Sequence, residues 1–378
     1  MDQMRALVVT LSAANFVIGM GAFVVVGLVE PMAASLGIST VVVGQLLTVY
    51  AVSYACLSPL LVAVTGRLGR RRVFFWAMAA FALSAVMAAL ADGIGWLVAS
   101  RVLAAMGAGV ATPVGAAVVA ALSPEAIRGK TLARVFFGLT LAQVIGVPVG
   151  AWIGYTFGWQ WAFWVVALCA LPCLVLIWTQ VPKGLSFQPV SLADLGRVMQ
   201  DRRMMLAIAY TSLFLGGIYV VYTYFAVLLG EVQGFDGAQI SLALFVFGMG
   251  AVVGNFLGGW LTDRVGSERA LVGLAVLQIV VMPLYATLPA TPVLVYALCF
   301  IWAVFGWSFM AAQQARLVGR APSQAPVTLA LNAAAIYIGA AVGSGIGGSV
   351  LAVFTPSSLG IAGAGVTALA LVSLRLAR

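Results

Sequence analysis

Two ionisable side chains stand out against an apolar background, Glu30 and Arg101. A charge held in hydrocarbon costs at least ~2.5 kcal/mol, so an embedded acid or base is a functional candidate by default. Arg101 is the one basic residue well inside an apolar run, and Glu30 is the acid nearest to being embedded. The remaining acids, Asp2, Asp92, Glu125, Asp194, Asp201, Glu231, Asp236, Asp263 and Glu268, map to polar connections or to the N-terminus. Glu30, at the end of its run, and Arg101, five residues after Trp96, lie at a matched depth, one or two turns below the same membrane surface. The expectation is an ion pair that protonation of Glu30 breaks, which would switch access, with a solvated loop acid and an outward-snorkelling Arg101 as the alternative. The chain has no histidine, which removes the commonest proton shuttle and general base. Cys169 and Cys173 are one helical turn apart, but no acid or histidine accompanies them. They read as packing residues, and neither a metal nor a cofactor is expected.

The elements that must position these groups are membrane spans. A chain that is 63% hydrophobic and 8% charged is not a soluble domain, where charge near 25% is usual. Apolar runs of about 20 residues, the length that crosses a ~30 Å hydrocarbon layer, recur twelve times. They lie at about 6–28, 41–63, 73–91, 96–118, 133–154, 161–181, 205–229, 240–262, 270–288, 293–313, 327–350 and 359–374. Of nineteen Lys and Arg residues, all except Arg101 fall at the termini, in the even-numbered gaps between runs or, for Arg134, at the edge of such a gap. Short basic loops stay in the cytoplasm. Both termini are therefore expected there, in a multi-pass protein of the cell (inner) membrane. The +9 charge reports that orientation and forms no stripe for nucleic acid. The first run is too long, and lacks a cleavage site, for a removable signal peptide.

The runs divide into two alike halves. Gly66-Arg67-Leu68-Gly69 recurs 197 residues later as Asp263-Arg264-Val265-Gly266, and the same offset maps Gly146 and Gly150 onto Gly343 and Gly347. The expected organisation is a six-helix bundle over 1–181, a cytoplasmic linker over 182–204 and a second bundle over 205–378. In the linker, Ser191 to Asp194 has capping-box spacing, and Leu192, Leu195, Val198 and Met199 follow at helical spacing. A short amphipathic helix on the membrane surface is expected, with a solvated linker of no fixed structure as the alternative. The fold class is thus all-α integral membrane, with twelve transmembrane helices in two pseudo-symmetric bundles. Such halves suit alternating access around a midplane site.

Glycines four apart form a flat helix face on which a neighbouring backbone can approach closely. Span five carries Gly146, Gly150 and Gly154, and span eleven carries Gly339, Gly343 and Gly347. The matched positions favour a surface on which the halves rock, with static packing as the alternative. Pro148 is expected to kink span five.

Gly259-Trp-Leu-Thr-Asp263-Arg264-Val-Gly266 is the most specific string in the chain. Gly-x-Leu-x-Asp-Arg-x-Gly resembles the signature of the major facilitator superfamily, and the first copy departs from it by placing Gly66 where the acid belongs. The resemblance implies that Asp263, beside Arg264, meets a helix N-terminus across the halves and holds one access state, a contact worth roughly 0.3–1 kcal/mol at a surface. Further strings resemble the drug- and sugar-efflux, arabinose-efflux-permease-like branch. They include Gly27-Leu28-Val29-Glu30-Pro31, Gly146-Val-Pro148-Val-Gly150, Gln314-Ala-Arg316 and Leu331-Asn332 through Tyr337-Ile-Gly339.

The resemblance implies a central cavity lined by spans one, two, four, five, seven, eight, ten and eleven. On those spans Asn15, Tyr50, Tyr54, Gln143, Tyr219, Tyr222, Asn255, Trp302 and Asn332 are the candidate cavity groups, a few polar atoms in an apolar pocket, with interhelical hydrogen bonding or packing as the alternative for each. It further implies export of a small organic molecule (drug, sugar or metabolite) by proton antiport, performed by a monomer in the bilayer. A proton-independent facilitator or uptake carrier of the same fold is the first alternative. A membrane-embedded enzyme is the second, and no catalytic constellation supports it. Gly107-Ala-Gly109 lies inside an apolar run and precedes no nucleotide-binding unit.

Overall fold

In lipid each backbone N–H and C=O must find its partner within the protein, and a helix satisfies nearly all of them internally. The computed structural model describes residues 2–124, 127–185, 198–287 and 291–377. Among these, twelve helical segments are long and apolar enough to cross a membrane. Span one starts at Asp2–Phe23, and spans two to four are Thr40–Val64, Arg70–Ala89 and Ile94–Leu122. Span five joins Arg128–Leu141 to Val147–Phe157, and span six is Trp159–Gln180. Span seven starts at Arg202–Tyr222, and spans eight to twelve are Gly237–Val265, Ser267–Thr287, Pro292–Arg320, Ala325–Val353 and Ser358–Leu376.

Local chemistry sets several of the ends. The Ser39 hydroxyl accepts from the Val42 amide at the start of span two, and the Asp201 carboxylate accepts from Arg203 and Met204 at the start of span seven. Asp236 and Gln239 form a reciprocal capping box on span eight. Each cap satisfies donors that the first helical turn leaves open, worth about 1 kcal/mol.

Spans one and seven differ from the single rods that the apolar runs predict. Span one breaks at Val24 and resumes over Val25–Leu36 as an outer helix, outer meaning on the side away from the basic loops. Span seven breaks at Thr223 and Tyr224 and resumes over Phe225–Gln233. Both outer helices end on a left-handed glycine, Gly37 (φ 65°) and Gly234 (φ 68°), again 197 residues apart. A side chain there would be strained, so glycine ends each helix at the corresponding place. Span five does not simply kink at Pro148. Residues Ala142–Gly146 widen into one π-turn, which absorbs the hydrogen bond that proline cannot make.

The spans before Val181 pack mainly on one another, as do those after Arg202. The two groups meet where span two lies along span eleven, span five along span eight, and the outer helices of spans one and seven along each other. This contact pattern corrects the role expected of the glycine faces. A Cβ on Gly146, Gly150 or Gly154 would meet Met20, Val24 or Leu28, all of span one or its break. One on Gly339, Gly343 or Gly347 would meet the carbonyls of Ser212, Gly216 or Val220, all of span seven. These glycines therefore close each half internally, and only Gly347 also touches the seam, through Tyr224. The glycines that admit the opposite half are others. Gly44 faces Tyr224, Gly237 faces Tyr155, Gly248 faces the backbone of Gln143 and Val144, and Gly348 faces Gln45. Glycine spacing marks a close helix contact without saying which helix makes it. Of the linker, residues 186–197 and with them the expected capping box lie outside the described residues, while Val198 is buried against Met204 and Ile208.

The contact predicts a stability difference between two neighbouring glycines. Gly343→Ala drives a methyl group into the Gly216 carbonyl, whereas Gly345 has open space. In detergent, Gly343→Ala is expected to lower stability by about 1–3 kcal/mol and Gly345→Ala to leave the thermal midpoint unchanged. Equal midpoints for the two variants would contradict the packing described here.

Candidate functional site

At the level of the two helix breaks, aromatic rings from both halves come together. Tyr54 of span two stacks on Tyr337 of span eleven, with centroids 3.6 Å apart and planes 20° apart. Tyr50, one turn earlier, lies 6.2 Å from Tyr54 and 6.4 Å from Tyr337. Phe23, at the break in span one, stacks on Tyr219 of span seven at 6.4 Å. The Tyr50 hydroxyl is buried without a hydrogen-bond partner. An unpaired buried hydroxyl costs free energy, so it is a ready donor for a bound polar group. Offset or tilted aromatic pairs of this kind contribute about 0.5–1.5 kcal/mol beyond their area.

Toward the outer ends the halves are joined by hydrogen bonds. Gln45 Nε2 donates to the Tyr224 hydroxyl (3.0 Å) and to the Ser344 carbonyl (3.4 Å), and the Ser344 hydroxyl donates to the Gly44 carbonyl (3.2 Å). Glu30 sits on the outer helix of span one. Its carboxylate accepts from the Tyr155 hydroxyl at 2.8 Å and lies against Gly230 of span seven, beside Glu231. Tyr155 in turn packs on Gly237 of span eight. Tyr155, Tyr224, Gln45 and Tyr337 were not among the candidates from sequence. The signal available for Gln45 was an amide alone in an apolar run, but nothing in the sequence pointed to its partner 179 residues away.

The expected Glu30–Arg101 pair is not formed. Arg101 is 2% exposed and donates from Nη1 to the Gly21 carbonyl (2.9 Å), with its guanidinium 5.0 Å from the Phe163 ring. It is thus held inside the first half, between spans one, four and six, and its acceptor Gly21 lies three residues before the break at Val24. A matched depth does not bring two groups together when their side chains leave their helices toward different neighbours.

The remaining candidates separate into two kinds. Asn15 donates to the Val135 carbonyl (3.1 Å) and accepts from Thr112 (3.4 Å), tying span one to spans five and four. Asn332 accepts from Thr211 (2.6 Å), which also accepts from Gln313 (3.0 Å), tying spans eleven, seven and ten. Trp302 lies among Phe225, Phe247 and Tyr285 in the core of the second half, and Tyr222 stacks on Phe247 at 4.6 Å while touching Tyr219. Gln143 and Asn255, by contrast, have no side-chain partner among the described residues. Asn255 is exposed and lies two turns along the same face as Gly248, which meets span five beside Gln143. Asp263 is exposed and makes no contact across the halves among the described residues, and Arg264 lies over Trp260 at 4.9 Å. The acid of that loop that does find partners is Glu268, 3.4 Å from Arg320 and 3.8 Å from Arg316. No group of three or more metal-ligating residues occurs among the described residues.

Residues 11–328 match the sequence profile described as Major Facilitator Superfamily. The chain is 31% identical over 338 residues to the uncharacterized MFS-type transporter YbcL of Bacillus subtilis (strain 168), covering 89% of this chain and 87% of that protein. Its fold is similar to the crystal structure of a point mutant of the nucleoside transporter NupG, with a TM-score of 0.78 at 12% identity over 98% of this chain and 99% of the other. It is also similar to a D-xylose-proton symporter, with a TM-score of 0.76 at 18% identity over 97% and 96% of the two chains.

Removing the Arg101 side chain would leave the buried Gly21 carbonyl unpaired and open a space beside Phe163. Arg101→Ala is expected to cost about 1–3 kcal/mol and to lower the thermal midpoint in detergent, with Arg101→Lys recovering part of the loss. An unchanged midpoint for Arg101→Ala would refute this positioning role.

Proposed function

The chain belongs to the major facilitator superfamily, which is a family of transporters rather than enzymes, and on that premise we propose that it exports a small organic molecule in exchange for protons. The observation that carries this reading is the seam. The hydrogen bonds and ring contacts that join the halves run from the Tyr54–Tyr337 stack outward to Gln45, Tyr224 and Glu30. Inward of that stack, Asn255 and Asp263 of span eight are exposed. These features support an inward-facing reading, sealed outside and reachable from the cytoplasm. On this reading both termini and the basic loops lie in the cytoplasm, the protein sits in the inner membrane of the cell, and one chain completes the two-half unit as a monomer.

The cargo meets an aromatic centre with few charges. Tyr54 and Tyr337 part when the halves rock, and a drug, sugar or metabolite takes the place of their stack. Tyr50, Gln143 and Asn255 supply unpaired polar atoms. An environment this poor in charge favours neutral or weakly charged molecules, because burying an unpaired charge is costly.

Protons act at Glu30. Closing the outer seam half-buries it against Gly230 and near Glu231 of the other half, so lost hydration first, and the like charge second, disfavour the carboxylate. Protonation relieves both and leaves a carboxyl that still hydrogen-bonds Tyr155. Low external pH therefore favours the sealed state, and deprotonation favours opening outward. A proton-independent facilitator or uptake carrier is the competing reading. It is supported by the aromatic centre itself, where no carboxylate contacts Tyr50, Tyr54 or Tyr337 among the described residues.

The test is substrate-stimulated proton movement in proteoliposomes, with a pH dye inside and a panel of neutral and cationic compounds outside. One compound class is expected to move the dye signal. Glu30→Gln is expected to flatten the dependence of transport on external pH while the protein still binds that class. Compound flux without a proton signal favours the facilitator, and an unchanged pH profile in Glu30→Gln removes the acid from the mechanism.

A further inference from the structure

On the flank of the first half, spans two, three and four enclose a groove of about 360 Å³. Its walls are apolar, formed by residues such as Leu61, Ala80, Met106 and Val110, and Arg72 stands at its end. No residue of the second half lines it, so it is separate from the seam and from the cargo path. From Arg72 to Ala80 span three rises about 12 Å, close to the depth of one leaflet of a ~30 Å core. Trp76, one turn along from Arg72, lines the groove and is 68% exposed. An aromatic ring one turn from a basic residue is the pattern of a span at the headgroup boundary.

Two of the arginines at this end have no counter-charge among the described residues. Arg67 and Arg72 make no hydrogen bond or ion pair among the described residues. Arg71 is turned away, with its guanidinium 4.4 Å from the Trp178 ring and an Nη1 donating to the Trp178 carbonyl. The sequence holds no acid between Glu30 and Asp92. The corresponding loop of the second half differs, since it carries Asp263 and Glu268, and Glu268 pairs with Arg316 and Arg320.

We infer that this groove seats one acyl chain of an anionic phospholipid from the leaflet that bathes the arginine loops, with the lipid phosphate paired to Arg72. The apolar walls take the chain, and the arginine supplies the charge-assisted hydrogen bonds that a phosphate oxygen accepts. A free phosphate would gain nothing from the walls, and an uncharged headgroup would gain nothing from Arg72. The lipid binds the first half alone, so the inference is independent of cargo and of transport direction.

The test uses the full chain in lipid nanodiscs, with bromine on the acyl chains of either phosphatidylglycerol or phosphatidylcholine. The Trp76 share of the fluorescence quenching is read as the difference between the parent protein and Trp76→Phe. Quenching by phosphatidylglycerol is expected at about five-fold lower mole fraction than by phosphatidylcholine, the preference that one basic residue supplies near a membrane surface. Arg72→Gln is expected to abolish the preference and Arg72→Lys to keep it, with both proteins otherwise folded by circular dichroism. Equal quenching by the two lipids in the parent, or a preference that survives Arg72→Gln, overturns the site. Loss of the preference on adding soluble glycerol phosphate would assign Arg72 to free anions and overturn it equally.

Discussion

The structure depends on backbone lying against backbone. Lipid tails are as apolar as leucine, so helices in a bilayer are not pressed together by water and hold by close packing instead. Here span five lies on span one through Gly138, Gly146, Gly150 and Gly154, and span eleven lies on span seven through Gly339, Gly343 and Gly347. Asn15 and Asn332 add hydrogen bonds at the corresponding places in the two halves. Each half is thereby closed on itself, and what remains between the halves is a seam of a different composition.

That seam is made of groups that can part. It contains stacked tyrosines, an amide shared among Tyr224 and Ser344, and a carboxylate held by a tyrosine hydroxyl. Each such contact is worth about 1 kcal/mol, within reach of a ligand or a proton. The backbone contacts inside each half would have to be broken many at once. The breaks in spans one and seven sit where the two kinds of contact meet, and Arg101 supports the first of them through the Gly21 carbonyl. Each break falls in the last third of its apolar run, so the short outer segment can stay with the seam while the longer segment stays with its half.

Much of the architecture was legible because hydropathy and charge are summed over twenty residues and do not depend on partners. The twelve spans and the 197-residue repeat emerged in this way, and Gly37 and Gly234 extend that repeat to the helix ends. Single contacts were not legible in this sense. Glu30 and Arg101 share a depth and carry opposite charges, yet one bonds to Tyr155 and the other to Gly21. The glycine faces were visible as faces, but a face is not addressed to a particular neighbour. Tyr54 was visible as a polar ring in an apolar span, while nothing in the sequence paired it with Tyr337, on which it stacks.

By itself the sequence determined the number of spans and the two-half design, since crossing hydrocarbon demands length and apolarity at every span and basic residues on one side. It also marked the positions where backbone would come close. Tertiary structure alone decided which helices lock together and which meet across the seam, that Glu30 joins that seam apart from Arg101, and that Asn15, Asn332 and Trp302 serve packing within a half. The physical reason is direction. A residue's burial and charge follow from its own chemistry, whereas its partner depends on which way each side chain leaves its helix and on which helix the rest of the chain has placed there.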